Sequence, residues 1–325
     1  MKSFPFGKPF VRSHIRKVIK ILVYICLMRN QQKAYFFALA AILCWSTIGS
    51  ALKITLRYIP FVELLFWASL VSTITLFISL KIFNKLSLIK QLKLRDFVRA
   101  AFLGFLNPFL YYLVLLKAYD MLLAQEAGTL NYIWPVVLVL LSIPLLKQKI
   151  GWMSILAILI SFAGTIIIGT RGKVFELKFD NPLGVSLALG SAVFWSIYWI
   201  FNLKDKKDEI LKLFLNFCFG LLYIFIFLLI TKGFPKMDTK GLIGSVYVGL
   251  FEMGITYILW LKGLQLSTTT AKVSNLVFIS PFISLIIINF AVGEKIMFST
   301  IAGLTLIVTG ILMQQYAGKT QNTGI

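Results

Sequence analysis

The sequence predicts an all-α membrane protein of ten transmembrane helices, arranged as two inverted repeats of five helices each. Two observations lead to this prediction. Hydrophobic residues make up 59% of the 325 residues and only 12 residues are acidic, so water cannot solvate most of the chain. The stretch of residues 124–149 also recurs as residues 270–295, with Pro135 aligned on Pro281 in the middle of an apolar run. The sequence therefore predicts a membrane protein with an internal duplication.

The paired prolines indicate where a functional site should lie. A proline inside a membrane-spanning helix leaves backbone carbonyls without their helical donors, which a bilayer tolerates only beside protein or a water-filled cavity. Interruptions at corresponding positions of two repeats are typical of a transporter's substrate site. We therefore predict helix breaks at Pro135 and Pro281 beside a central cavity.

The composition excludes several other classes of site. The three cysteines (Cys26, Cys44 and Cys218) are far apart and the single histidine, His14, lies near the amino terminus, so no metal site is predicted. The net charge of +21 does not indicate a nucleic-acid partner, because the basic residues fall between apolar runs rather than on one surface. No nucleotide-binding loop and no catalytic constellation is present, so we predict neither an enzyme nor a cofactor.

Residues 1–33 are predicted to form a basic amino-terminal arm. Its apolar run from Val18 to Met28 is too short to cross a bilayer. An interfacial helix or a disordered arm is favoured over a signal peptide, because no small-residue cleavage site follows the run. A natural start at Met28 is a further alternative, since no feature of the repeats depends on residues 1–27.

Ten apolar runs follow the arm, each near the roughly 20 residues that cross a bilayer. We name them spans one to ten, with predicted limits Tyr35–Leu56, Val62–Phe83, Val98–Leu116, Ala124–Leu146, Gly151–Gly169, Pro182–Leu203, Leu211–Thr231, Leu242–Leu261, Val273–Val292 and Phe298–Tyr316.

The distribution of charge predicts the orientation of these spans. Most of the 33 lysines and arginines lie in the arm, in the tail and in the loops that follow the even-numbered spans. The segments Lys81–Arg99 and Lys204–Lys207 are the strongest examples. By the positive-inside rule these loops and both termini are cytoplasmic, in a multi-pass protein of the cell (inner) membrane.

Further matches define the two repeats. Residues 44–46 (CWS) of span one align with residues 194–196 (FWS) of span six, and Tyr111-Tyr112 of span three aligns with Thr256-Tyr257 of span eight. We therefore predict a first repeat over residues 34–170, a second over residues 181–316 and a cytoplasmic tail over residues 317–325. Because five is an odd number, the second repeat enters the membrane from the other side, and the axis relating the two lies in the membrane plane.

These motifs resemble the drug/metabolite transporter superfamily, and within it the ten-helix EamA-like branch. The resemblance covers about residues 35–316 and rests on residues 43–47 (LCWST), 126–135 (EAGTLNYIWP), 280–281 (SP) and 293–294 (GE). The form Asn-Tyr-x-Trp-Pro at residues 131–135 is most similar to the bacterial aromatic amino acid exporters. The chain departs from the family at Trp67, where members often carry an arginine, and at Gln148, where the second repeat has Glu294. The resemblance implies transport of a small organic metabolite.

Glu252 is the first candidate for function because it is predicted near the middle of span eight. An ionised carboxylate that faces lipid is costly, so Glu252 must face a partner or a water-filled cavity. Together with Ser245, Gly249, Thr256 and Gly263 it recurs at helical spacing on one small, polar stripe. Two roles remain open for Glu252. It can act in transport, by binding an amine or exchanging a proton, or it can form a structural hydrogen bond across helices.

Two polar residues of span four are further candidates. Glu126 begins the span near the outer face, where both ligand binding and simple interfacial solvation are open. Asn131 shares a face with Gly128 and Pro135, so its amide can bind substrate or cap carbonyls freed by the proline.

Aromatic residues supply a candidate cavity lining that can stack on a flat or cationic ligand, although tryptophan and tyrosine also mark the membrane interface. They are Trp45, Tyr132, Trp134, Trp195, Tyr198, Trp199, Tyr257 and Trp260. Thr256 and Asn275 complete the predicted substrate-binding or coupling residues.

Together these features predict a secondary active transporter that exports an amino acid or related small metabolite by alternating access. The alternative is an importer or exchanger of a polar or phosphorylated metabolite, which Lys53, Lys117 and Lys262 disfavour because they lie at span ends rather than centres. The expected partners are a small-molecule solute, the lipid bilayer and protons as candidate coupling ions, with no nucleic acid. The expected assembly is a monomer or a homodimer.

Overall fold

The computed structural model describes residues 30–146, 151–176, 179–231, 233–235, 238–267, 273 and 275–322. Within these residues the chain is helical and contains no β-strand. Nine of its helical stretches are long and apolar enough to cross a bilayer, and a tenth apolar stretch, Leu276–Val292, is shorter. The predicted all-α fold is confirmed. The predictions for residues 1–27 and for Gln148 fall outside the described residues.

Six spans are single helices and four are made of two segments. The single helices are Asn30–Thr55 (span one), Phe61–Ile82 (two), Trp152–Gly169 (five), Pro182–Leu203 (six), Glu209–Thr231 (seven) and Phe298–Asn322 (ten). The two-segment spans are Leu94–Gly104 with Tyr111–Met121 (three), Ala124–Asn131 with Trp134–Leu146 (four), Thr239–Phe251 with Ile255–Leu266 (eight), and the 3₁₀ turn Asn275–Ile279 with Ser280–Val292 (nine). A further 3₁₀ turn, Leu86–Gln91, follows span two. The broken spans thus occupy corresponding positions in the two repeats.

The breaks of spans four and nine fall just before the prolines. The second segments begin at Trp134 and Ser280, so Pro135 and Pro281 are each the second residue of a helix. A proline in the first helical turn costs little, because its missing N–H has no intrahelical acceptor there. The sequence analysis predicted breaks at these prolines, and in the structure each proline starts the second segment of its span.

Spans three and eight are also broken, which the sequence analysis did not predict. In span three a wide turn over Phe105–Leu110 contains Asn107 with non-helical φ of −149° and ψ of 119°. In span eight the helix ends at Phe251 and resumes after Gly254, which has φ of −111° and ψ of −97°. The polar stripe predicted along span eight is therefore not continuous, since its residues lie on two separate helices.

The repeats exchange contacts in a reciprocal pattern. Span one packs on spans eight and nine, whereas span six packs on spans three and four. Span two lies against spans seven and eight, and span seven against spans two and three, while spans five and ten pair with each other. A two-fold axis in the membrane plane produces such an exchange.

Equivalent glycines bring the broken spans close to their partners. A Cβ added to Gly249 of span eight would lie 2.5 Å from the carbonyl oxygen of Ala68 in span two. A Cβ on Gly104 of span three would likewise meet the carbonyl oxygen of Asn216 in span seven. Small residues at these positions allow helices to approach closely within a bilayer.

The loops at one end of the bundle contain the two most basic segments of the chain. We call the face with Lys81–Arg99 and Lys204–Lys207 the basic face, and the other the opposite face. Three ion pairs join the repeats at the basic face, namely Lys85–Asp208 (2.5 Å), Lys207–Asp96 (2.6 Å) and Arg99–Asp205 (3.7 Å). Desolvation opposes the charge of Lys207, yet the carboxylates of Asp96 and Asp205 hold its pKa above its ordinary value. The repeats are therefore tied together electrostatically at this face.

Candidate functional site

The break of span eight places a carboxylate in the middle of the bundle. Glu252 directly follows the helix that ends at Phe251, and it is the middle residue of the 28-residue stretch Thr239–Leu266. Its side chain is half-buried, and its Oε1 accepts a 3.0 Å hydrogen bond from the hydroxyl of Tyr112. Among the described residues no basic side chain forms an ion pair with Glu252. In the part of the chain that the structure describes, the carboxylate is thus held by one neutral donor, the Tyr112 hydroxyl.

Neighbouring hydroxyls satisfy the backbone of this break. Ser72 of span two donates a 2.9 Å hydrogen bond to the carbonyl oxygen of Met253. Thr256 donates to the carbonyl oxygen of Phe251. These side chains replace helical N–H donors that the break removes, as a non-helical backbone inside a bilayer requires. The break is therefore part of the built structure and determines where Glu252 lies.

Asn131 joins spans three, four and six. Its Oδ1 accepts a hydrogen bond from the Tyr111 hydroxyl at 3.3 Å, and its Nδ2 donates to the Ser191 hydroxyl at 2.8 Å. Within the described residues its side chain bonds no carbonyl, so the predicted capping of carbonyls near Pro135 is not seen. Because Tyr111 precedes Tyr112 in the chain, span three connects Asn131 to the Glu252 contact.

Two aromatic clusters adjoin this region. The first contains Tyr111, Trp195, Tyr198 and Trp199, and the second contains Trp45, Tyr257 and Trp260. The ring centroids of Tyr111 and Trp195 are 4.7 Å apart, and those of Trp45 and Trp260 are 5.4 Å apart. Trp45 and Trp195 occupy aligned positions, and each cluster combines residues of both repeats. The two clusters provide ring faces and edges on which a flat or cationic group can pack.

The breaks of spans four and nine are bonded to each other. Tyr132 donates a 2.7 Å hydrogen bond to the carbonyl oxygen of Val277, which lies in the 3₁₀ turn of span nine. The carbonyl oxygen of Trp134 accepts a 2.9 Å bond from Ser196. Asn275 begins the same 3₁₀ turn, and its side chain lies outside the part that the structure describes. Tyr132 and Trp134 therefore contribute to the joint between the repeats.

Glu126 lies away from the centre, near the opposite face, in a tight ion pair. Its Oε1 is 2.5 Å from Nε of Arg171, its Oε2 is 3.2 Å from the second guanidinium nitrogen, and its side chain is only 4% exposed. The hydrogen bond from Arg171 to Glu126 is the main cause that raises the pKa of Arg171. The backbone N–H of Leu123 also bonds Oε2 at 3.2 Å. Glu126 thus holds the loop after span five against span four, a contact that was not predicted.

Glu294 joins the repeats at the opposite face. Its carboxylate oxygens accept hydrogen bonds from the backbone N–H groups of Ala124, at 2.8 Å, and Gln125, at 3.2 Å. A carboxylate is favourable at such a helix start because the first N–H groups of a helix have no internal acceptor. The second-repeat Glu294, which differs from Gln148 in the sequence alignment, therefore caps the first helix of span four.

Sequence reasoning did not identify three residues on which these contacts depend. They are Tyr112, which bonds Glu252, Ser72, which bonds the broken backbone, and Arg171, which pairs with Glu126. Of these three residues, only Tyr112 had a signal in the sequence, namely its alignment on Tyr257 of the second repeat. Among the described residues, no group of three or more His, Cys, Asp or Glu side chains is placed to hold a metal ion.

Comparison with known proteins agrees with this architecture. Residues 32–170 and 182–314 each match the EamA-like transporter family. An uncharacterized transporter of Archaeoglobus fulgidus is 25% identical over 82% of this chain and 93% of its own length. The aromatic amino acid exporter YddG of Salmonella typhimurium is 22% identical over 58% of this chain and 66% of its own length.

The matches differ in how much of the relatives they cover. An uncharacterized transporter of Clostridium kluyveri is 26% identical over 55% of this chain, and the chain spans 59% of that relative's length. One solved crystal structure superposes with a TM-score of 0.62 at 20% identity, covering 90% of this chain and 99% of the solved chain. The superposition supports the fold, and the two family matches cover most of the sequence. The resemblance found in the sequence is confirmed, and the chain belongs to the EamA-like transporter family.

Proposed function

We propose that the protein is a secondary active transporter that exports a small organic metabolite, an amino acid or a related compound, by alternating access. One observation carries the proposal. Glu252 is a half-buried carboxylate in the middle of a broken span, with Tyr112 as its hydrogen-bond donor and no basic partner among the described residues. A carboxylate in that position binds a cationic group or exchanges a proton, because leaving it ionised and unpaired in a bilayer is costly.

The surroundings of Glu252 favour a substrate with an amine and a flat apolar part. The carboxylate supplies the partner for an ammonium group, and the clusters around Trp45 and Trp195 supply aromatic surface. The aromatic amino acid exporter of Salmonella typhimurium, a relative at 22% identity, supports the same choice of substrate class. We take amino acids with aromatic side chains as the first compounds to test.

The contacts of Lys53 and Lys117 do not favour a phosphorylated substrate. Lys53 donates to the carbonyl oxygens of Tyr119, at 2.8 Å, and Leu122, at 2.6 Å. Lys117 pairs with Asp120 at 2.7 Å and is 40% exposed. These ammonium groups therefore already have acceptors at the ends of their spans, away from the middle of the bundle where Glu252 lies.

Alternating access requires contacts between the repeats to open in turn. We propose that the ion pairs at the basic face and the Glu294 contacts at the opposite face separate alternately, with the basic face and both termini in the cytoplasm. The moving units are the two repeats over residues 34–170 and 181–316. The protein acts in the cell membrane as a monomer or homodimer, with protons as the candidate coupling ion.

A growth-rescue screen followed by a flux assay tests the function. Cells that overexpress the protein are challenged with toxic amino acid analogues, and purified protein is then reconstituted in liposomes with labelled phenylalanine. We expect protection against at least one aromatic analogue and flux that depends on the protein. Absence of both protection and flux, with the protein present at normal levels in the membrane, would contradict the proposal.

A further inference from the structure

The break of span three contains a buried amide that makes no well-formed hydrogen bond. Asn107 is 0% exposed, and among the described residues neither its Oδ1 nor its Nδ2 has a partner at good hydrogen-bond geometry, although the Tyr198 hydroxyl interacts with this side chain. Its backbone is non-helical, with φ of −149° and ψ of 119°. A buried polar group without a partner is destabilising, so such groups in folded proteins call for a specific explanation. The role proposed for the Glu252 site does not explain why Asn107 is buried in this way.

Asn107 is the counterpart of Glu252 in the other repeat. The residue offset that places Tyr112 on Tyr257 also places Asn107 on Glu252 and Gly104 on Gly249. Both are middle residues of 28-residue spans, Leu94–Met121 and Thr239–Leu266. Both lie in the break of their span. The two repeats therefore hold one polar side chain each at the same structural position, a carboxylate in one and an amide in the other.

The neighbours of Asn107 supply further hydrogen-bond donors. Leu106 packs in one cluster with Tyr198 and Trp199. The indole Nε1 of Trp199 is buried and also has no partner among the described residues. The Tyr198 hydroxyl accepts a 3.3 Å bond from Asn216 and also interacts with the Asn107 side chain. This region thus offers amide, indole and phenol donors, which suit a carboxylate or another acceptor group.

Aromatic contacts connect this region to the Glu252 site. The ring of Trp195 is 5.8 Å from Tyr198 and 5.7 Å from Trp199, and on its other side it is 4.7 Å from Tyr111. Tyr111 is adjacent in the chain to Tyr112, the donor to Glu252. The two polar regions are therefore joined by continuous aromatic contacts, on which an apolar ring of a solute can pack.

We infer that the break of span three is a second polar subsite, in which Asn107 and Trp199 bind a carboxylate or another hydrogen-bond acceptor of the transported solute. The inference rests on the proposed function and deepens it. Glu252 binds the cationic end of the solute in one repeat, and the Asn107 subsite binds the acceptor end in the other. Selection between compounds that differ only in the carboxylate is then made by Asn107 of span three and Trp199 of span six.

Two probes that differ only in the carboxylate test the inference. Phenylalanine and 2-phenylethylamine both have an amine and a phenyl ring, and only phenylalanine has the acceptor group. Asn107→Leu removes the amide at similar volume, and Trp199→Phe removes the indole N–H while keeping an aromatic ring. Flux of each probe is measured in proteoliposomes and normalised to inserted protein. Ser161→Ala, a fully buried hydroxyl between spans five and ten, is the matched control.

The expected result is a selective loss. Removing a hydrogen bond to a charged group should lower kcat/KM for phenylalanine by about tenfold or more. The value for 2-phenylethylamine should stay within about twofold, because it makes no use of these donors. Trp199→Phe should shift the ratio in the same direction, so the test does not depend on the folding of the Asn107 variant alone.

The other outcomes separate this inference from the proposed function. Equal losses for both probes, in both variants, would show that the amide only holds structure or an ordered water, which overturns the inference and leaves the transporter proposal intact. Unchanged flux of phenylalanine would also overturn it. If the parent protein moves neither probe, the proposed substrate class fails and the inference fails with it.

Discussion

Replacing Glu252 by glutamine gives the most direct test of the proposed mechanism. The change keeps the shape of the side chain and its capacity to accept the 3.0 Å hydrogen bond from Tyr112, while it removes the charge and the titration. If Glu252 binds an amine or exchanges a proton, the variant should reach the membrane at normal levels and transport poorly.

The size of the effect follows from the contacts. A hydrogen bond to a charged group contributes about 1.5–3 kcal/mol and a neutral one about 0.5–1.5 kcal/mol. The difference, about 1–1.5 kcal/mol, corresponds to roughly a tenfold weaker affinity for an amine. Glu252→Asp keeps the charge and should retain part of the activity, because only its reach is shortened.

Flux in proteoliposomes over a series of pH values is the appropriate assay, with rates normalised to inserted protein. The parent rate should vary with pH, and the glutamine variant should lose both the rate and this variation. Glu176→Gln, at an exposed loop carboxylate, is the matched control and should behave as the parent does. A glutamine variant with the parental rate and the parental pH profile would refute the reasoning and assign Glu252 a structural role.

Three further predictions address the topology, the arm and the buried ion pair. Reporter fusions at Asn84 and Lys206 should both give a cytoplasmic signal, because the basic face is predicted to lie inside; an external signal at both would reverse the orientation. Removal of residues 1–27 should leave flux unchanged, since the repeats begin after them, and lost flux at normal membrane abundance would contradict this. Arg171→Gln leaves the carboxylate of Glu126, 4% exposed, without its ion-pair partner, so membrane abundance and thermal stability in detergent should fall. Adding Glu126→Gln should restore most of the loss, and a double variant as unstable as the single one would argue against the pair.

The sequence was sufficient to predict the membrane class and a bundle of nine to ten apolar helices. These properties depend on a local quantity, the length of apolar runs, which does not need the fold. The limits were less accurate, since span three was predicted over Val98–Leu116 and extends over Leu94–Met121. The duplication was also visible, because the two copies retain Pro135 and Pro281 in matching contexts. The prolines identified spans four and nine as broken, and the structure moved the breaks by a few residues, to where each proline starts a helix.

The breaks of spans three and eight could not be predicted from paired prolines in the sequence. Span three has Pro108 in its break and span eight has no proline there, so no paired proline marks these two breaks. The backbone at the break of span eight is bonded by side chains instead. Ser72, for example, supplies the donor for Met253 from another span. Helical spacing therefore suggested a continuous stripe through Glu252, whereas contacts between spans decide that the helix ends at Phe251.

The sequence by itself determined that Glu252 must have a partner or a cavity, since the cost of a bare carboxylate in lipid holds in any fold. Only the tertiary structure decided which partner, because Tyr112 is 140 residues away along the chain and no local pattern relates the two. The same reason applies to Glu126, which the sequence placed near an outer face and the structure pairs with Arg171. It applies equally to Asn107, which the alignment of the repeats places on Glu252 and which only the fold shows to be buried at the break of its span. Local chemistry identifies which groups need partners, and the packing of the two repeats decides which groups meet.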